Sequence, residues 1–207
     1  MSELDDLKEI AIAKIKIAFN RSIDIEATHE IFLDKIKTRI SKYLYLTLVL
    51  CIFFSILSFL LIILKNFDFL YILLAFNGIA LILPPFYLKF FLCKNLEDHF
   101  NIIRSALELR EYAMEFFRNK IDNLDIEGYI KELLYLESLD NNLANSSEKL
   151  IRKIKNKDNQ LIEAWIKKLE EKGIKKQYIL KEELNSAKLK AAKFQKLLNE
   201  KVPINFD

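Results

Sequence analysis

Hydrophobic and polar residues alternate in blocks along this chain, and the blocks change character twice. From Tyr43 to Leu64 the sequence reads "YLYLTLVLCIFFSILSFLLIIL", with no charge in the whole run. At 1.5 Å per residue such a helix covers about 33 Å, enough for a hydrocarbon core of about 30 Å. A second apolar run starts near Phe69 and continues to Leu88, interrupted by Asn77, Gly78 and the pair Pro84-Pro85. Only "KNFD", Lys65 to Asp68, separates the two, so they are expected to be antiparallel neighbours. A soluble buried helix seldom stays apolar on every face for this length. The pattern predicts a two-helix transmembrane hairpin.

Outside the hairpin the period is helical. In "NLEDHFNIIRSALELREYAMEFFRNKIDNL" one row takes in Phe100, Ile103, Leu107, Arg110, Met114, Phe117, Ile121 and Leu124, spaced three and four apart. A second row, Ile102, Ala106, Leu109, Ala113 and Phe116, runs beside it. Two adjacent rows predict a helix that buries a wide face in a bundle or an oligomer. Leu107, Arg110 and Phe117 are the candidate register or oligomer contacts, Arg110 either fixing register or snorkelling out to water.

Gly128 is expected to end this helix before "YIKELLYLESLDNNLA". "NNLANSS", 141–147, reads as a loop or junction, with Ser147 capping "EKLIRKIKNK". "LIEAWIKKLEEKG" is amphipathic, Gly173 is placed as its stop, and a last helix is expected from about Lys175 to Leu198 before an irregular "VPINFD". At the other end "EIAIAKIKIAF" alternates like a strand, but its neighbours favour a helix; Asn20 to Asp24 reads as a break. From about Ile25 one helix is expected to run into the first span. The resulting plan is an all-α membrane protein: N-terminal cytoplasmic helices over 1–42, the hairpin over 43–94 (spans about 43–64 and 69–88), a cytoplasmic helical bundle over 95–142 and a basic helical hairpin over 143–207.

Charge refines this plan. Lys35, Lys37, Arg39 and Lys42 flank the first span and Lys89 and Lys94 follow the second, while the turn offers Lys65 alone, so both termini are expected in the cytoplasm. The net charge of +3 hides a polarity: residues 95–140 carry eleven acids against five bases, and residues 141–207 sixteen bases against nine acids. The two segments are suited to pair with each other, or the tail with anionic headgroups.

Candidate chemistry is sparse. Three glycines, Gly78, Gly128 and Gly173, build no phosphate loop or dinucleotide fingerprint. No nucleophile elbow, HExxH, paired CxxC or basic patch with interleaved aromatics occurs, so no enzyme, cofactor or nucleic-acid partner is expected. Cys51 and Cys93 imply no disulfide framework. Glu26 and His29 share a helix face, half of a carboxylate-bridged metal site, but with no second such pair they read, like His99, as solvated surface. Within the spans Asn77 is the polar point of interest, either glue between helices or part of a narrow polar path. Pro84 and Pro85 withhold two helical hydrogen bonds, to Ala80 and Leu81, and predict a bend, either a hinge or a static kink.

The order of these parts resembles the SLATT family, predicted two-helix membrane effectors of bacterial conflict systems. "DKIKTRISKY" enters the first span, "KNFD" makes a very short turn, and the second span leads into "NIIRSALELREYAMEFFRNKI" and then "YIKELLYLESLDNN". The likeness covers about residues 25–142 and brings no catalytic motif, so it assigns no functional residue. It implies a homo-oligomer that permeabilises the bacterial inner membrane once a partner protein or nucleotide signal activates it, as in anti-phage defence. An ordinary regulated ion channel and a non-conducting membrane-anchored scaffold are the other readings.

Overall fold

The structure, a computed structural model, describes residues 3–65, 67–88, 93–151, 156–180, 182–183 and 185–192. Among these every regular element is helical and no strand occurs. Five α-helices follow in order: α1 (Glu3–Ile63), α2 (Phe67–Tyr87), α3 (Cys93–Glu115), α4 (Ile126–Leu150) and α5 (Asn156–Glu171). A π-helical turn, Phe116–Lys120, extends α3. The chain divides into two compact units: residues 1–29 with 102–207, and residues 30–101.

The first unit holds the core. Leu7, Ile10, Ala11, Ile15, Ala18, Phe19 and Ile23 of α1 meet Ile102, Ala106, Leu109, Ala113 and Phe116 from α3 and its extension, and Tyr129, Leu133, Leu136 and Leu143 of α4. The second row predicted for α3 is thus the one that faces the core. The first row splits, Ile103 and Ile121 being buried while Phe100 and Phe117 are exposed. The strand-like alternation near the N-terminus resolves as helix, because α1 has apolar neighbours on more than one side and so buries a wide arc.

Four sequence expectations change. Asn20 to Asp24 is uninterrupted helix. The polar side chains there find partners that leave the backbone ladder intact: Ser22 Oγ donates to the Phe19 carbonyl (2.7 Å), and Asn20 exchanges two hydrogen bonds with the backbone of Gln177. Gly128 does not separate helices but lies in the first turn of α4, whose N-cap is Asp125; the Gly128 amide donates to Asp125 Oδ1 at 2.8 Å. A Cβ at 128 would stand 2.8 Å from that oxygen and 2.9 Å from Leu124 Cδ2, so glycine is what lets the cap close. The predicted loop over 141–147 is helix, part of α4, with Leu143 and Ser147 buried. The segment after Gly173 starts as non-helical chain over 174–180, and helix resumes at 182–183 and 185–192. The rest of the expected last helix and the "VPINFD" ending lie outside the described residues.

Other expectations agree. α5 ends where Gly173 adopts a φ of 85°, with Ile174 N–H donating to the Leu169 carbonyl (2.9 Å) in the closing pattern of a helix C-terminus. α4 gains a further tie at its start, where the Tyr129 hydroxyl donates to the Ile121 carbonyl at the end of the π-helical turn.

In the second unit α1 ends at a turn over Leu64 and Lys65, with Lys65 left-handed at φ 53°. Tyr43 and Tyr87 lie with ring centroids 5.6 Å apart. Nearer the first unit's residues in sequence, Phe32 stacks on His99 at 5.6 Å and Lys37 lies over the Phe100 ring at 5.9 Å. Cys51 and Cys93 are free thiols.

Candidate functional site

One stretch of α1 is long and apolar enough to cross a membrane, and only 6% of it is buried in the protein. The core helix of a soluble protein would be mostly covered; here Leu48, Phe53, Ile56, Phe59 and Ile63 all stand more than half exposed. A shorter apolar stretch, Asp68–Ile79, lies in α2. Its Phe69, Tyr71, Ile72 and Phe76 are exposed to a similar degree. Monomeric soluble proteins rarely present so large a contiguous apolar surface.

Three polar side chains of the α1 stretch bond within their own helix. Thr47 Oγ1 donates to the Tyr43 carbonyl, Ser55 Oγ to Cys51 and Ser58 Oγ to Phe54, each at 2.8 Å. These three hydroxyls are consumed by their own helix, which removes the cost of an unpaired donor away from water. Asn77 differs. Its carboxamide oxygen is buried and accepts no hydrogen bond, and next to it a Cβ on Gly78 would meet nothing within 4 Å. The assigned helix of α2 continues through Pro84 and Pro85 to Tyr87, so the proline pair occupies its final turn.

The other candidate residues fall into the first unit's interior. Glu26, on α1, accepts from Arg110 Nη1 at 2.5 Å, and both side chains are only 10% exposed. Arg110 therefore neither snorkels nor stands free on a seam; it crosses from α3 to a buried carboxylate. One turn along α1, His29 is fully buried, and its Nε2 lies 2.9 Å from Ser147 Oγ on α4. The surface placement expected for Glu26, His29 and His99 does not hold: all three are buried. Burial holds the His99 imidazole below its usual range, against the opposing pull of Asp98. A serine beside a histidine is the beginning of a nucleophilic pair, but a nucleophile must meet a substrate, and His29 and Ser147 lie within the packed interior. The pair ties α4 to α1. Among the described residues no cluster of three or more His, Cys, Asp or Glu side chains is placed to hold a metal ion.

Of the remaining predicted contacts, Leu107 is half-buried and Phe117 is 48% exposed. Phe117 lines a groove of about 200 Å³ together with Ile15, Phe19, Met114 and Gln177. Sequence reasoning missed the Glu26–Arg110 and His29–Ser147 ties. The signals were present: Glu26 and His29 share a face, and Arg110 interrupts an apolar row. What was missing was the partner across space.

No family model matches the chain, and neither a curated protein nor a solved structure matches it.

Proposed function

We propose that this chain is a membrane-embedded homo-oligomeric effector of the bacterial inner membrane, whose apolar helices form a pore controlled by the helical unit. In this reading α1 beyond Lys42 and α2 make a transmembrane hairpin, with both termini cytoplasmic. The observation that carries it is the uncovered apolar stretch of α1, whose Thr47, Ser55 and Ser58 hydroxyls bond to their own backbone. The Tyr43–Tyr87 contact supports a hairpin with matched ends and an aromatic pair at one interface. Two spans enclose no channel alone, so conduction requires several copies. The Asn77 carboxamide oxygen, buried and without a hydrogen-bond partner beside the open face of Gly78, is the polar group that a neighbouring copy would satisfy once the side chain turns outward. In this reading the proline pair in the last turn of α2, two missing backbone donors, is where the helix would bend at the inner mouth, as a hinge or as a static kink. The resemblance of this order of parts to the SLATT family would imply permeabilisation on a partner or nucleotide signal.

A non-conducting scaffold is the second reading. It is favoured by the poverty of polar groups in the stretch, where the hydroxyls of Thr47, Ser55 and Ser58 donate to their own backbone. Induced expression with a potential-sensitive dye separates the two. A pore collapses the membrane potential, and Asn77→Leu weakens the collapse while the protein stays in the membrane. An unchanged potential at full membrane insertion refutes the pore and leaves the scaffold.

A further inference from the structure

The described residues of 174–192, that is 174–180, 182–183 and 185–192, lie along α1 in a way that packing alone does not explain. Going up the segment, Lys176 pairs with Asp24 at 2.5 Å, Gln177 exchanges two backbone bonds with Asn20, and Glu183 pairs with Lys16 at 3.2 Å. Ser186 then donates to Glu9 at 2.7 Å, and Lys190 bridges Glu9 and Asp6. The partners on α1 descend as the segment ascends, so it runs antiparallel to the helix. Asp6, Glu9, Lys16, Asn20 and Asp24 are spaced three, seven, four and four apart, which places them on one stripe.

A segment held by burial would cover its large apolar side chains. Here two of them stand in solvent, Tyr178 80% and Leu189 70% exposed, while Ile174 and Ile179 are half-buried. Among the described residues beyond the anchor at Ile174, the small Ala187 is the one that is buried, and Ala191 is packed against the core. What fastens the segment is a ladder of charge pairs and polar contacts, five α1 side chains long, in which the paired carboxylates of Asp6, Glu9, Asp24 and Glu183 stay 40–50% exposed while the lysines Lys190 and Lys16 are more covered.

We infer that residues 174–192 form an electrostatic latch on the acidic and polar stripe of α1, fastened at low ionic strength and released by salt, while the core beneath stays folded. The two are separable because they rest on different forces. Exposed ion pairs are screened within a Debye length of about 30 Å at 0.01 M salt and about 3 Å at 1 M, whereas apolar burial is not weakened by salt. Release uncovers Asp6, Glu9 and Asp24 and removes Gln177 from the wall of the groove that Phe19 and Phe117 line. Lys190 is the chief fastener, since it alone spans two carboxylates, and both hold its ammonium more firmly protonated than usual.

Amide hydrogen exchange on the full chain in detergent tests the latch. Raising salt from about 0.01 M to about 1 M is expected to speed exchange of the helical amides at 185–192 about tenfold, with those of Leu109 and Phe116 unchanged. Lys190→Glu should produce the fast exchange already at low salt. Combining it with Asp6→Lys and Glu9→Lys should restore slow exchange by reversing the pairing. Exchange at 185–192 that ignores salt, or that is the same in Lys190→Glu as in the unaltered chain, overturns the latch. So does a triple variant as fast as Lys190→Glu.

Discussion

The buried pair between Glu26 and Arg110 offers the sharpest test of how the helical unit is held. With Nη1 and Oε2 at 2.5 Å, the charge centres lie about 4 Å apart, where attraction is about 4 kcal/mol at an effective dielectric of 20. Each ion also lost most of its hydration, a cost of several kcal/mol, so the pair as a whole is close to neutral for stability. Its removal by halves is not neutral. Glu26→Met leaves the guanidinium charge in the interior, and Arg110→Met leaves the carboxylate; each is expected to cost about 3–5 kcal/mol. Glu26→Met combined with Arg110→Met leaves no orphan charge and is expected within about 1–2 kcal/mol of the parent. Denaturant unfolding of the full chain in detergent, followed by helix signal and by Trp165 fluorescence, gives the four corners of the cycle. A coupling energy of about 3 kcal/mol or more is expected. Single variants costing under about 1 kcal/mol would mean that the pair behaves as an exposed one, and the interior placement of Arg110 would be refuted.

Other consequences follow from the same contacts. Gly128→Ala drives a Cβ into the Asp125 cap and is expected to cost about 1 kcal/mol in thermal unfolding, whereas Gly173→Ala costs through its left-handed φ; equal stability of Gly128→Ala and the parent would discount the cap. Leu109→Ala should cost about 2–5 kcal/mol, since Leu109 is 1% exposed, while Phe117→Glu leaves the unit folded and, if the seam is an oligomer contact, reduces particle mass in detergent. Burial pushes the Glu132 carboxyl up, but bonds from Tyr112 and Lys120 outweigh it and hold it below its ordinary 4.5. The group therefore adds stability above that value, lost as pH falls through the lower folded one, and Glu132→Gln should flatten this part of the acid-unfolding curve. Under the proposed topology Lys65→Cys should react with an impermeant maleimide from outside intact cells; labelling only after lysis would reverse the orientation.

Much of this protein was written in one dimension. The helical period, the uncharged run from Tyr43 to Leu64 and the turn after it are properties of local composition, because a helix needs only neighbours three and four residues away, and lipid selects for apolarity without regard to partners. The end of α5 at Gly173 was legible for the same reason: a left-handed residue is a local demand. Where sequence reasoning failed, the deciding contact was distant. Asn20 reads as a breaker until Gln177 arrives, 157 residues later, to satisfy its carboxamide. Ser147 reads as a cap until His29, 118 residues earlier, takes its hydroxyl. Glu26 and Arg110 read as surface and seam until burial joins them across 84 residues. Polar side chains have several ways to meet their hydrogen bonds, and local sequence presents only the near ones; the tertiary structure decides among them because an unpaired polar group in the interior is too costly to leave.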